Sequence, residues 1–174
     1  MDIEKLSKDE VEKLIEEVYD FYRKKVIYEE DFTKFFEKRK FGSEDVRKLW
    51  KKAFNLKIIR IGTEHIPVSE KAPGETGVKL ILEYISPKER EEIRRLMEEV
   101  FNFYAKRKIY EDELINYFEK KGMKKDKIEE LWIKAMNLGI ISFGVRPISL
   151  PDDPLKIIGH RTVFELEPEG GTSY

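Results

Sequence analysis

The chain has 174 residues, of which 40% are hydrophobic and another 40% charged, a balance that excludes a disordered chain. No apolar run approaches the roughly 20 residues that cross a bilayer, no signal-peptide pattern opens the sequence, and the lack of cysteine excludes disulfides and thiol chemistry. A net charge of −1 excludes a uniformly basic DNA-coating protein, so nucleic-acid binding would have to come from local patches. These features fit a cytoplasmic protein. Glutamine is absent, asparagine occurs four times, and Lys and Glu abound, a composition that resembles thermophile proteins.

In chain order, Ser7-Lys-Asp-Glu10 is a capping-box pattern. Val11, Leu14, Val18, Phe21 and Tyr22 follow at helical spacing and predict a helix to about Lys25. Val26–Tyr28 reads as a short strand. Glu29–Lys38 reads as a helix with Phe32, Phe35 and Phe36 on one face and acids in its first turn. Phe41-Gly42-Ser43 is a turn and cap before a helix from Glu44 to about Leu56. A strand over Lys57–Thr63, a loop over Glu64–Gly77 rich in proline and glycine, and a returning strand over Val78–Ile85 complete the first half.

A second start signal, Ser86-Pro87-Lys88-Glu89, comes with almost no linker. Helices are predicted over 87–107, 111–120 and 126–138, with Ile109-Tyr110 as the small strand and Gly139 at a helix C-terminus. Strands follow at 140–145 and 162–166 around a loop from Arg146 to Arg161, and Glu167–Tyr174 reads as an irregular tail. The halves repeat one another. Aligned at an offset of 82 without a gap, Leu14–Gly62 and Leu96–Gly144 share 22 identities in 49 positions. Such a period is too long for a solenoid repeat and predicts two tandem domains, 1–85 and 86–174, born of one duplication.

Helix, short strand, helix, turn, helix, strand, loop, strand is the order of the winged-helix variant of helix-turn-helix, and both copies resemble that family. The segment Ala-x-Asn-Leu-x-Ile-Ile, at Ala53–Ile59 and Ala135–Ile141, ends the third helix and enters the wing in each. The expected class is α+β, two tandem winged helix-turn-helix domains. The family includes transcription factors, replication proteins and assemblies that bind no DNA, so the resemblance implies fold more firmly than function.

In DNA-binding members the third helix lies in the major groove. Turning Val46, Leu49, Trp50 and Ala53 inward puts Lys48, Lys51 and Asn55 outward, flanked by Arg47 and Lys52, with Arg39 and Lys40 at the preceding turn. Lysine and arginine suit phosphate or guanine and asparagine suits adenine. The second copy has Glu130, Ile133 and Asn137 at the matching outward positions, beside Glu129 and Lys134. Its carboxylates would repel phosphate, and Glu130 and Ile133 read as a protein contact. Lys124, Lys125 and Lys127 at its turn, and Arg161 in its wing, remain candidates for backbone contacts.

The first wing, with Lys71 against Glu64, Glu70 and Glu75, is poor for entering a groove. Tyr19 and Phe101 occupy equivalent positions on the first helix of each copy, a frequent dimer surface in winged-helix proteins, and are expected to face a neighbouring domain or a homodimer partner. His65 and His160 stand one in each loop without ligand spacing, so neither metal nor cofactor is expected. No phosphate loop, nucleophile elbow or protease motif occurs, and no enzyme activity is expected. Trp50 and Trp132 share a face with Leu49 and Leu131 and read as core anchors. The leading expectation is a double-stranded-DNA-binding regulator or replication/transcription accessory factor. Its rival is a protein-interaction module that binds no nucleic acid.

Overall fold

Residues 2–67 and 76–168 are described by a computed structural model. The chain forms two compact units, Met1–Ser86 and Pro87–Tyr174, each mixing helix with a small antiparallel sheet. Unit 1 opens on a single 3-10 turn (Ile3–Lys5), then α1 (Lys8–Tyr22), β1 (Val26–Tyr28), α2 (Glu29–Lys38), α3 (Ser43–Asn55), β2 (Ile59–Pro67) and β3 (Thr76–Tyr84). Unit 2 follows with α4 (Pro87–Tyr104), β4 (Lys108–Tyr110), α5 (Glu111–Lys120), α6 (Lys125–Asn137), β5 (Ile141–Leu150) and β6 (Asp153–Leu166). The strand orders are β1-β3-β2 and β4-β6-β5.

Local chemistry sets the boundaries. The Ser7 hydroxyl accepts from the Glu10 amide at 3.3 Å while Glu10 accepts from the Ser7 amide at 2.7 Å, which satisfies orphan donors at the start of α1. Three acids lead α2, where the helix dipole favours them. Each unit bends its chain through left-handed residues at three matching places. Arg23, Lys40 and Lys57 have φ of 53°, 67° and 60°, and Ala105, Gly122 and Gly139, each 82 positions later, have 52°, 84° and 67°.

The core of unit 1 gathers Val11, Ile15, Val18, Phe32, Phe36, Leu49, Ala53, Ile58 and Leu82. The core of unit 2 gathers Ile93, Met97, Val100, Leu114, Phe118, Ile128, Ala135, Ile140 and Phe164. Tyr22 donates its hydroxyl to Asp31 O at 3.0 Å, and Tyr104 donates to Glu113 O at 3.0 Å, so the same tie joins the first helix to the second in both units.

Several expectations need correction. The stretch Arg146–Arg161, expected as a loop, is largely strand: β5 and β6 pair from Ile141↔Leu166 to Leu150↔Asp153. Its proline misled because β5 is an edge strand, where a missing amide costs no ladder bond. The first hairpin likewise extends to Pro67↔Thr76. Glu70, Lys71 and Glu75 of the expected first wing, and the tail from 169, lie outside the described residues. The buried stripe of α1 is Val11, Ile15, Val18 and Tyr19, and Phe21, expected on it, is 63% exposed.

Candidate nucleic-acid interface

The strongest basic surface is on α3. Val46, Leu49 and Ala53 bury one face, and helical geometry then turns Arg47, Lys48 and Lys51 to solvent. α3 carries Arg47, Lys48, Lys51 and Lys52 against Glu44 and Asp45, four cations to two carboxylates. A groove of about 600 Å³ runs between α2 and α3, lined by Glu29, Thr33, Ser43, Glu44, Arg47, Lys48, Trp50 and Lys51. Arg47, Lys51 and Asn55 are exposed and have no ion-pair or hydrogen-bond partner among the described residues. Lys48 meets Glu44 at 3.3 Å, and that carboxylate raises the lysine pKa and keeps it cationic. An exposed pair one helical turn apart contributes only about 0.3–0.5 kcal/mol, so a phosphate can replace Glu44.

The remaining cations of this region divide. Lys40 is exposed at the α2–α3 turn. Arg39 pairs with Glu17 and lies over the Phe35 ring, its guanidinium carbon 4.3 Å from the centroid. Lys52 departs from the expected phosphate role: its ammonium donates to Ile3 O at 3.1 Å and Glu4 O at 2.6 Å, closing the N-terminal 3-10 turn onto α3. Lys57, which sequence reasoning passed over, stands just beyond α3, with its ammonium 5.7 Å from the Phe54 ring. The signal was the match to Gly139: a lysine holds a left-handed position where the other copy has glycine.

The α6 face of unit 2 has different chemistry. Lys125, Lys127 and Lys134 are balanced by Asp126, Glu129 and Glu130, three against three. Lys134 is buried, with its ammonium 3.1 Å from Glu89 and 3.2 Å from Glu130. Lys127 meets Glu130 at 2.8 Å, and together the two lysines pull the Glu130 pKa down to about 2. Lys124 and Lys125 are exposed at the helix start. Arg161 is held at 2.7 Å by both oxygens of Asp112 and lies 3.8 Å from the Tyr110 ring centroid, a geometry that ties it to its own unit. Lys121 pairs with Glu99, as Arg39 pairs with Glu17.

Of the expected protein contacts, Ile133 is 39% exposed and Glu130 lies in the lysine cluster. Tyr19 and Phe101 are corrected: at 5% and 2% exposure they belong to the cores of their units. The Tyr19 hydroxyl donates to Leu82 O at 2.8 Å, and burial pushes its pKa up. The exposed aromatics lie two residues on, at Phe21 and Phe103, which pack edgewise on Tyr22 and Tyr104. Trp50 and Trp132 are half-buried against their cores, and Trp132 lies 5.5 Å from Phe164. His65 pairs with Val78 in the first sheet and His160 with Pro147 in the second. Among the described residues no three metal-binding side chains gather, and no helix is long and apolar enough to cross a membrane. Compared with known proteins, the chain matches no family model and no curated protein.

Proposed function

We propose that the chain is a tandem winged-helix protein, derived by duplication, that binds double-stranded DNA through α3 of unit 1. Its role would be that of a cytoplasmic transcription regulator or a replication/transcription accessory factor. The matching element orders and strand orders, with 22 identities in 49 aligned positions, support the duplication and the family. One observation carries the DNA reading. α3 exposes Arg47, Lys48 and Lys51 beside an open groove, and its two flanking turns hold Lys40 and Lys57 in left-handed backbone where the other unit has Gly122 and Gly139. A lysine accepts that conformation at a cost a glycine avoids. Retaining cations there suits a surface that meets phosphate. The 13-residue helix spans about 20 Å at 1.5 Å per residue and fits the major groove.

The test is fluorescence anisotropy of a labelled random duplex at two salt concentrations. Three or four phosphate contacts give a log–log slope of about −2.7 to −3.6. The double substitution Lys48→Glu and Lys51→Glu should abolish binding. Absence of binding at low salt, or unchanged affinity in the double variant, would refute the assignment. A second reading, a protein-interaction module, draws on unit 2, where Ile133 is exposed on a charge-balanced helix. It predicts a stoichiometric protein complex, free of nucleic acid, that Ile133→Asp breaks.

A further inference from the structure

The two units can be read against each other for surfaces they share. The α3 face is not shared, since Arg47, Lys48 and Lys51 correspond to Glu129, Glu130 and Ile133. A second surface is. Within the aligned segments, Phe21 and Phe103 are the one apolar pair that is identical and exposed in both units, at 63% and 65%. With most of each ring in water, burial repays little of its presence there. Both rings hold the same pose. Phe21 stands edge-on to Tyr22, with centroids 5.0 Å apart and planes at 88°, and lies 5.3 Å from Phe35. Phe103 stands edge-on to Tyr104 at 5.0 Å and 89°, and lies 5.0 Å from Tyr117.

Cations accompany both rings. Lys24 and Lys38 match Lys106 and Lys120, while Lys25 and Arg39 match Arg107 and Lys121 with charge unchanged, and each of these is exposed. Arg39 lies over Phe35, the ring beside Phe21, at 4.3 Å, and Lys121 lies over Tyr117, the ring beside Phe103, at 4.8 Å. Glu17 and Glu99 take up Arg39 and Lys121, and Glu113 takes up Lys106. The charged groups of Lys24 and Lys38 in unit 1, and of Arg107 and Lys120 in unit 2, have no partner among the described residues. The acid beside Phe21, Asp20, is Asn102 beside Phe103.

We propose that each unit carries, on its first two helices, a contact for single-stranded nucleic acid. An unpaired base stacks on Phe21 or Phe103, and the neighbouring cations meet the flanking phosphates. Every base has a π face, so one fixed ring serves any sequence, and cations beside it track the backbone. A ring held edgewise by its neighbours presents a set face, which stacking uses and insertion into lipid does not need. A duplex hides its base faces, so the strand must have unpaired bases. The contact uses none of the α3 residues and does not depend on duplex binding there.

The probe is a fluorescein-labelled oligothymidine of about 20 nucleotides, longer than the usual single-strand site, titrated with the full chain at low salt. The double variant Phe21→Leu/Phe103→Leu, which keeps apolar bulk but loses both stacking faces, should bind at least tenfold more weakly, with each single variant between. Phe21→Tyr/Phe103→Tyr should retain wild-type affinity, a rescue that a merely structural role would not produce in this assay. The Leu variants should leave duplex affinity unchanged, and the Leu-against-Tyr difference should persist in the Lys48→Glu/Lys51→Glu background, which separates this contact from the α3 reading. No binding of the oligonucleotide at low salt would overturn the proposal, as would equal affinity in the Leu and Tyr variants. Sedimentation with phosphatidylserine vesicles that the Leu variants abolish, while oligonucleotide affinity stays unchanged, would also overturn it, by giving the surface to lipid.

Discussion

Lys40 offers the sharpest test of why unit 1 differs from unit 2. It holds φ of 67° where Gly122 holds 84°. Left-handed backbone costs an L-residue roughly 1–2 kcal/mol, because Cβ approaches the following carbonyl. Glycine's extra freedom in the unfolded chain returns roughly 0.5–1 kcal/mol of that. Lys40→Gly should therefore stabilise unit 1 by about 0.5–1 kcal/mol, a rise of about 4 °C in Tm for a domain of this size. The reciprocal Gly122→Lys should cost about the same. An ideal Cβ at Gly122 meets nothing within 4 Å, so only backbone strain opposes it. Calorimetry of both variants reads the stability, and DNA anisotropy of Lys40→Gly reads the function, where losing one phosphate contact lowers the salt slope by about 0.9. Two silent variants would refute the strain. Stabilisation with an unchanged slope would leave the strain without the proposed reason.

The Glu130 cluster predicts an acid limb. Its pKa falls from an ordinary 4.5 to about 2 on folding because Lys127 and Lys134 donate to it. The unfolded chain then binds more protons between those values, so the contribution is complete above pH 4.5 and lost as pH falls towards 2. With the side chain 41% exposed, solvent screening reduces the contribution to about 1 kcal/mol. Unfolding free energies from pH 6 to 2 should fall less steeply for Glu130→Gln than for wild type, and parallel curves would reject the cluster. Tyr22→Phe removes the bond to Asp31 O and should cost about 1 kcal/mol in urea unfolding. No measurable change there would show the tie to be idle.

Helix placement was legible because several signals agreed. Ser7 and Glu10 announced α1, and Phe32, Phe35 and Phe36 fixed the buried face of α2 by spacing alone. Helix phase was less legible: Tyr19 and Phe21 are both aromatic, and packing of the Val11, Ile15 and Val18 stripe into the core buries the first while leaving the second 63% exposed. Strand length was hidden by residues that read as loop. Pro147 and Gly159 lie within paired strands, and edge position is a property of the sheet, invisible to a local window. Helical phase puts Lys52 on the flank of the outward face, yet its long stem reaches the carbonyls of Ile3 and Glu4, far earlier in the chain. No pattern within α3 encodes that partner.

Pro147 has a further consequence for life at high concentration. β5 is the outer strand of a hairpin whose surface exposes Phe143 and Val145, at 64% and 59%. An outer strand that apolar invites another chain to zip onto its open row of amides and carbonyls. A proline in a paired strand must turn its nitrogen outward, and it interrupts that row near the middle of the strand. Arg146 beside it adds a charge that a second copy would bring against itself. The residue that disguised this hairpin as a loop is thus a guard on its rim, letting the ribbon stay long and greasy without becoming a template.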